Sequence, residues 1–318
     1  MDAHALSHEI EAYNLSSCII HYRKKLIYHY EKSEQASSQL MPINSCTKSV
    51  LSALICIAMG QGLVPPPNTL ISHYFPQLRH EQDQRKKNIS LEHLLTLTAG
   101  FQWNEFSGIN SFPTMTRSSD WIQYTLEQPM SDVPGARMVY NSGVSQLLAA
   151  ILVRATGMEI SRFAELHLFN PLGIEQYNWK CDPHGIHTGG FGLQLSANDL
   201  LKFGLLYLHK GVWHNQQLIS QDMIECSTKS VIAATPPERG FYGWHWWIDY
   251  VPVMIHNQSI SMDLHYYYAR GFGGQFIIIV PALETVVVLT CKQRKKGLHP
   301  LELFRQHIAP SLVDLRRV

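Results

Sequence analysis

No apolar run in this chain is long enough to cross a bilayer without a polar break, so no membrane-spanning helix is expected. The opening residues, Met1-Asp2-Ala3-His4-Ala5-Leu6-Ser7-His8-Glu9, lack the basic start and apolar stretch of a secretory leader. A cytoplasmic location is the expectation. Charge is also scarce: charged residues make up 16% and the formal net charge is +1, so no global field draws the chain to nucleic acid or a membrane. The basic clusters Arg23-Lys24-Lys25, Arg85-Lys86-Lys87 and Arg294-Lys295-Lys296 are short and scattered, and read as solvated faces. The six cysteines have no paired close spacing, which argues for reduced, mostly buried thiols rather than a disulfide frame. Histidines are plentiful, but neither His8-Glu9 nor His80-Glu81 is completed by a second His, and no metal or cofactor is expected. A phosphate-binding Gly-Lys-Ser/Thr loop is missing, and so is a G-x-S-x-G elbow. Nothing in the sequence speaks to oligomeric state.

What the chain does have is apolar residues, 45% of 318, enough for a large core in one or two domains. Cys18 to Tyr22 and Leu26 to Tyr30 are β-prone runs that read as a hairpin. Pro65-Pro66-Pro67 breaks the chain. From there to about Gly240 the periodicity is mostly helical: Ser90 to Thr98, Ser119 to Glu127, Gly143 to Thr156, Ile160 to Leu168 and Ser196 to His209. After Gly240 the period changes to strands over Tyr242–Ile248, Asp263–Ala269, Gln275–Val280 and Thr285–Cys291, followed by a helix from about Pro300 to Leu312. The expected fold is α/β plus all-α: an antiparallel sheet flanked by helices, built from residues 1–66 and 241–318, with residues 67–240 as a mostly helical insertion.

Three segments carry chemistry. The first is Ser45-Cys46-Thr47-Lys48, opening a helix whose apolar residues cover almost every face up to Gly60. Ser45 falls at the helix N-terminus, where free N–H groups and the dipole favour negative charge. Lys48 is three residues on, on the same face, within reach of the Ser45 hydroxyl. A serine becomes a nucleophile when a neighbouring base takes its proton, and a lysine in an apolar site can be that base or an anion stabiliser. The S-x-x-K spacing alone occurs by chance about once in a chain of this size. A capping serine with a snorkelling lysine is the bland alternative. Cys46 reads as packing. The second segment is Pro134-Gly135 through Tyr140-Asn141-Ser142-Gly143, a loop running into a helix. Its Tyr140 is either a general base projecting into a cleft or a tyrosine packed on the helix. The third is Arg270-Gly271-Phe272-Gly273-Gly274 before the strand Phe276–Val280. It is either a tight turn or bulge, or a close approach that brings a backbone N–H to Ser45 as part of an oxyanion hole. The aromatic group Tyr242, Trp244, Trp246, Tyr266, Tyr267, Tyr268 and Phe272 reads as sheet core or pocket wall.

In their order and spacing these segments resemble the serine β-lactamase and penicillin-recognising superfamily, in the branch of class C β-lactamases, D-aminopeptidases, family VIII esterases and 6-aminohexanoate-oligomer hydrolases. Ile89 to Gly100, Phe169-Asn170-Pro171-Leu172-Gly173-Ile174 and Gly190-Phe191-Gly192-Leu193 followed by Ser196 to Leu200 are similar to further stretches of that family, so the likeness covers nearly the whole chain. The resemblance implies that Ser45 is acylated, that Lys48 and Tyr140 share the proton work, and that the oxyanion meets the N–H groups of Ser45 and Phe272, flanked by Gly271 and Gly273. Two departures stand out. The family's Tyr-x-Asn is here Tyr140-Asn141-Ser142, which puts a hydroxyl where a substrate-binding amide belongs. The Lys-Thr-Gly of lactamases is Gly271-Phe272-Gly273, which removes the ammonium that grips a substrate carboxylate, with Arg270 the remaining candidate. The expected function is a serine hydrolase acting on a small ester, amide or lactam. A β-lactamase or D-peptide hydrolase, and a non-catalytic ligand-binding or sensor protein, are the alternatives.

Overall fold

The computed structural model describes residues 3–255, 260–292 and 299–315. The Arg294-Lys295-Lys296 cluster therefore lies outside the described residues. Strands β1 (Ser17–Tyr22) and β2 (Lys25–Glu31) form the expected hairpin. Its turn residues Arg23 and Lys24 both have positive φ, 44° and 65°, the sense that matches strand twist in a two-residue hairpin loop. The later strands are β3 (Ile232–Ala233), β4 (Phe241–Tyr242), β5 (Trp247–Ile255), β6 (Ile260–Gly271), β7 (Gln275–Val280) and β8 (Thr285–Thr290). Together they make one eight-stranded sheet in the order β2-β1-β8-β7-β6-β5-β4-β3. Both chain ends thus share a sheet, joined where β1 pairs antiparallel with β8. Strands β7 and β8 are buried at every position, which explains their unbroken β-branched runs: both faces of the sheet are covered.

Adjacent residues of β6 identify the two covering layers. The Tyr267 hydroxyl donates to the Tyr207 carbonyl of helix α6 (Ala197–Leu208), while Tyr266 packs edge-on against Phe304 near the C-terminus. Because neighbouring strand residues point to opposite faces, α6 and the C-terminal helices lie on opposite sides. On the second side the buried Asp249 of β5 accepts from Arg305 at 2.6 Å and pairs with Arg239 at 3.0 Å. The remaining helices used below are α1 (Ala3–Tyr13), α2 (Thr47–Gly60), α3 (Leu91–Leu95), α4 (Trp121–Glu127) and α5 (Ser142–Thr156). Helix α2 is buried from Thr47 to Ala58, as its apolar faces require, and packs on α5. Among the described residues no single helix is long and apolar enough to cross a membrane.

Several expectations shift in detail. The stretch 67–240 carries most of the described α-helices, yet it also supplies β3 and α6 to the sheet and its cover. The segment Tyr242–Ile248 is two strands: β4 stops at Tyr242 and β5 begins at Trp247. Between them His245 takes φ 58°, and a Cβ on Gly243 would lie 2.6 Å from the Ser227 carbonyl, so the chain must turn there. Tyr242, Trp244 and Trp246 are all core, but not as one alternating strand face. The C-terminal helix is interrupted by a π turn, Phe304–Ile308, two residues before Pro310, and a second π turn, Glu165–Phe169, stands two residues before Pro171. A proline cannot donate the next helical hydrogen bond, and widening the preceding turn accommodates its ring.

Contact between α6 and the sheet depends on Gly204, where an added Cβ would meet Val286 Cγ1 at 2.6 Å and Ile277 Cγ2 at 2.9 Å. Gly204→Val should destabilise the protein by about 1–3 kcal/mol through overpacking, despite valine's better helix propensity. Urea denaturation midpoints check this; an unchanged midpoint would show that α6 can lift without cost.

Candidate active site

Ser45 sits half-buried in a single 3₁₀ turn, Asn44–Cys46, that leads directly into α2. Asn44 adopts φ 50°, a left-handed conformation that asparagine tolerates, and the Thr47 hydroxyl closes the turn on the Asn44 carbonyl at 2.6 Å. Cys46 is buried, its thiol directed at the Gln275 carbonyl at 3.6 Å, and burial pushes its pKa well above the ordinary thiol range. It packs, as expected.

Lys48, one turn further along α2, is 1% exposed. Its Nζ donates to Ser142 Oγ at 2.9 Å and to the Gly190 carbonyl at 3.0 Å, and lies 4.7 Å from the centre of the Tyr140 ring. The structure therefore brings Lys48, Tyr140 and Ser142 together one helical turn from Ser45. Tyr140 is fixed from its other side by Trp247, stacked at 6.0 Å and 17°. Asn141 is the N-cap of α5, its Oδ1 accepting from the Val144 N–H at 3.1 Å. That role turns the amide onto the helix end and leaves Ser142, the first residue of α5, facing Lys48.

The Gly190 carbonyl is delivered by a clamped loop. The Gly189 N–H donates to Gln146 Oε1 at 2.9 Å, and Gln146 Nε2 donates to Asp182 at 2.9 Å. A Cβ on Gly189 would collide with the Ser145 carbonyl at 2.1 Å, and one on Gly190 would sit 3.0 Å from Lys48 Nζ. Pairing of Met41 with Leu195 ties this loop to the segment just before Ser45.

The Gly-rich segment makes the close approach. A Cβ on Gly271, the last residue of β6, would lie 2.1 Å from the Ile43 carbonyl, so only glycine lets this strand end reach the Ser45 turn. Asn44 Nδ2 donates to the Phe272 carbonyl at 2.6 Å and ties the two together. Phe272 begins the turn into β7 and is 76% exposed, and Gly273 has φ 87°. Arg270 is bound: its Nη1 meets Glu238 at 2.6 Å, and its guanidinium lies over the Trp247 ring at 5.7 Å.

Sequence reading passed over Glu105. Its carboxylate accepts from the Ser142 hydroxyl, from the Ser142 N–H at 2.9 Å and from Trp103 Nε1 at 2.8 Å. It belongs to no motif, and only its place two residues after Trp103 on a loop leading out of α3 brings it here. Trp247 and Glu238 escaped notice for the same reason. Behind the site, His245 is fully buried, its Nε2 3.1 Å from Ser145 Oγ, and its carbonyl accepts from Ser49 of α2 at 2.7 Å. Burial, with Lys48 nearby, holds its pKa well below the usual imidazole value.

A family model described as Beta-lactamase matches residues 17–308, and the chain belongs to that family. Solved structures with the same fold include a putative 6-aminohexanoate-dimer hydrolase from Bacillus anthracis, at TM-score 0.79 and 16% identity over 98% of this chain and 82% of that one. Another is the octameric penicillin-binding protein homologue from Pyrococcus abyssi, at TM-score 0.77 and 17% identity over 98% and 78%. A third is a β-lactamase/D-alanine carboxypeptidase from Pseudomonas syringae, at TM-score 0.70 and 16% identity over 96% and 98%.

A histidine held neutral by burial contributes stability that is complete above its unfolded pKa of about 6.5 and is lost as pH falls below it, because the unfolded chain then binds the extra proton. Thermal midpoints should drop between pH 7.5 and 5.5, and His245→Asn, which tolerates the positive φ, should flatten part of that slope. A variant as pH-sensitive as the parent would remove His245 as a source.

Proposed function

We propose that the chain is a serine hydrolase that cleaves a small ester or amide through an acyl-enzyme on Ser45. The observation that carries this reading is the buried Lys48, held by Ser142 Oγ and the Gly190 carbonyl over the Tyr140 ring, one helical turn from Ser45. A lysine stem with no route to the surface has little structural use, whereas a base beside a serine has a clear chemical one. Ser45 Oγ attacks the substrate carbonyl carbon, and its proton passes to the Lys48–Tyr140 pair. The tetrahedral oxyanion is taken by the backbone N–H groups of Ser45 and Phe272. The pair then returns the proton to the leaving oxygen or nitrogen as that bond breaks, leaving acyl-Ser45. Water repeats the sequence, releasing the carboxylic acid and restoring the serine.

Substrates without a carboxylate suit this pocket. Gly271 offers no ammonium, Arg270 is already paired with Glu238, and Glu105 adds negative charge beside Lys48. The second reading, a β-lactamase or D-peptide hydrolase, has in its favour fold neighbours such as the β-lactamase/D-alanine carboxypeptidase from Pseudomonas syringae. It would require Arg270 to leave Glu238. The intact catalytic set argues against a silent binding protein.

The test is mass analysis after exposure to a fluorophosphonate, with side-by-side kinetics. Ser45 should be labelled, and Ser45→Ala should lower kcat on short p-nitrophenyl esters by at least ~10³-fold with little change in melting temperature. An unlabelled serine, or a variant with near-parent turnover, sinks the proposal. On the same protein, kcat/KM for benzylpenicillin should be at least about tenfold below that for the best ester, since one missing charge-assisted hydrogen bond costs roughly ten- to a hundredfold. A lactam preferred over every ester would promote the second reading.

A further inference from the structure

The hydrogen bonds around Ser142 have a direction. Gly190 presents a carbonyl, which only accepts, so one Lys48 N–H must point to it. Glu105, as a carboxylate, also only accepts, so the Ser142 hydroxyl proton points to Glu105 and the Ser142 oxygen is left to receive a second Lys48 N–H. Two corners of the Lys48 nitrogen are thereby assigned, and the remaining one is free for the reacting atoms. Glu105 is itself immobilised by the Trp103 N–H and by the backbone N–H of Ser142, the first residue of α5, where the helix end favours a negative group.

We propose that Glu105, acting through Ser142, is a positioning residue for Lys48, a role that rests on the hydrolase reading above. It sets the orientation of the amine and counters the positive charge that Lys48 gains when it takes the Ser45 proton. No proton moves onto Glu105. The carboxylate works as the aspartate does behind a catalytic histidine, with a serine hydroxyl interposed. The resulting series, carboxylate to hydroxyl to amine, gives Ser142 a purpose in place of the substrate contact that an amide at this position would make.

The effect belongs to the transition state, where the charge develops, so it falls on kcat and not on KM. With a p-nitrophenyl ester, Glu105→Gln should lower kcat by about ten- to a hundredfold, the worth of one charge-assisted hydrogen bond, with KM within about twofold. Ser142→Ala should lose a similar factor, and the double variant should be little worse than either single one. Glu105→Ala should regain at least about tenfold in kcat on addition of formate, which leaves the parent enzyme unaffected; a residue that merely braces the loop gives no such rescue. Circular dichroism confirms that each variant is folded, and Ser142→Ala carries the test if the Glu105 variants are not. Parent-like kcat in Glu105→Gln, a loss confined to KM, additive single effects or no formate rescue would each overturn the role. If the parent's Ser45 is labelled by fluorophosphonate while these outcomes fail, only this inference falls; if the parent is not labelled, the hydrolase reading falls and takes this inference with it.

Discussion

Burying a lysine amine is the constraint on which the rest of this structure turns. Burying a polar amine costs free energy unless hydrogen-bond acceptors are arranged around it. Helix α2 cannot supply them, since its neighbouring faces are apolar and its own serines are committed: Ser49 and Ser52 donate to the carbonyls of His245 and Trp244. The acceptors come from elsewhere. The start of α5 brings Ser142, and the loop at Gly189-Gly190 brings a carbonyl. Each arrives on a scaffold of its own, the Asn141 cap for one and the Gln146–Asp182 clamp for the other. Much of the helical part can be understood as machinery for surrounding one nitrogen.

Glycine placement follows from the same crowding. A Cβ on Gly190 would crowd Lys48, and one on Gly271 would collide with the Ile43 carbonyl. The first position lets a loop carbonyl reach the amine. The second lets the end of β6 reach the turn carrying Ser45. A side chain at Gly271 would force the strand end away from the Ser45 turn.

These demands explain what could be read from the sequence. The sheet shared by both chain ends was legible because β7 and β8 are unbroken β-branched runs bounded by turn residues. The S-x-x-K helix was legible because its apolar faces leave Lys48 nowhere to go. The Gly-rich approach was legible as an allowance of space, since glycine is the residue that permits it. The π turns and the break at His245 were not, because they depend on proline rings and carbonyls packed from distant segments. Glu105 was invisible for a different reason. A carboxylate on a loop has no periodicity or spacing to betray it, and its meaning comes only from the Ser142 hydroxyl, which is 37 residues away in the chain. Helix α1 has no part in the sequence expectation, although Leu6, Ile10 and Tyr13 form a buried stripe on it.

The departure Tyr140-Asn141-Ser142 and the departure at Gly271 have one electrostatic consequence. Where the family resemblance implies an amide for a substrate carbonyl and an ammonium for a substrate carboxylate, this chain has a hydroxyl turned toward Lys48 and a glycine, with Asn141 committed to the helix cap. The nearest guanidinium, Arg270, is held by Glu238 and lies over Trp247, which in turn stacks on Tyr140. Its charge is committed to Glu238. Under the proposed hydrolase reading, Glu105, one hydroxyl removed from Lys48, adds negative charge that disfavours an anionic ligand there. Under the proposed hydrolase reading, binding energy at such a site comes from the acyl group's shape and apolar surface, to which the exposed Phe272 beside the Ser45 turn can contribute.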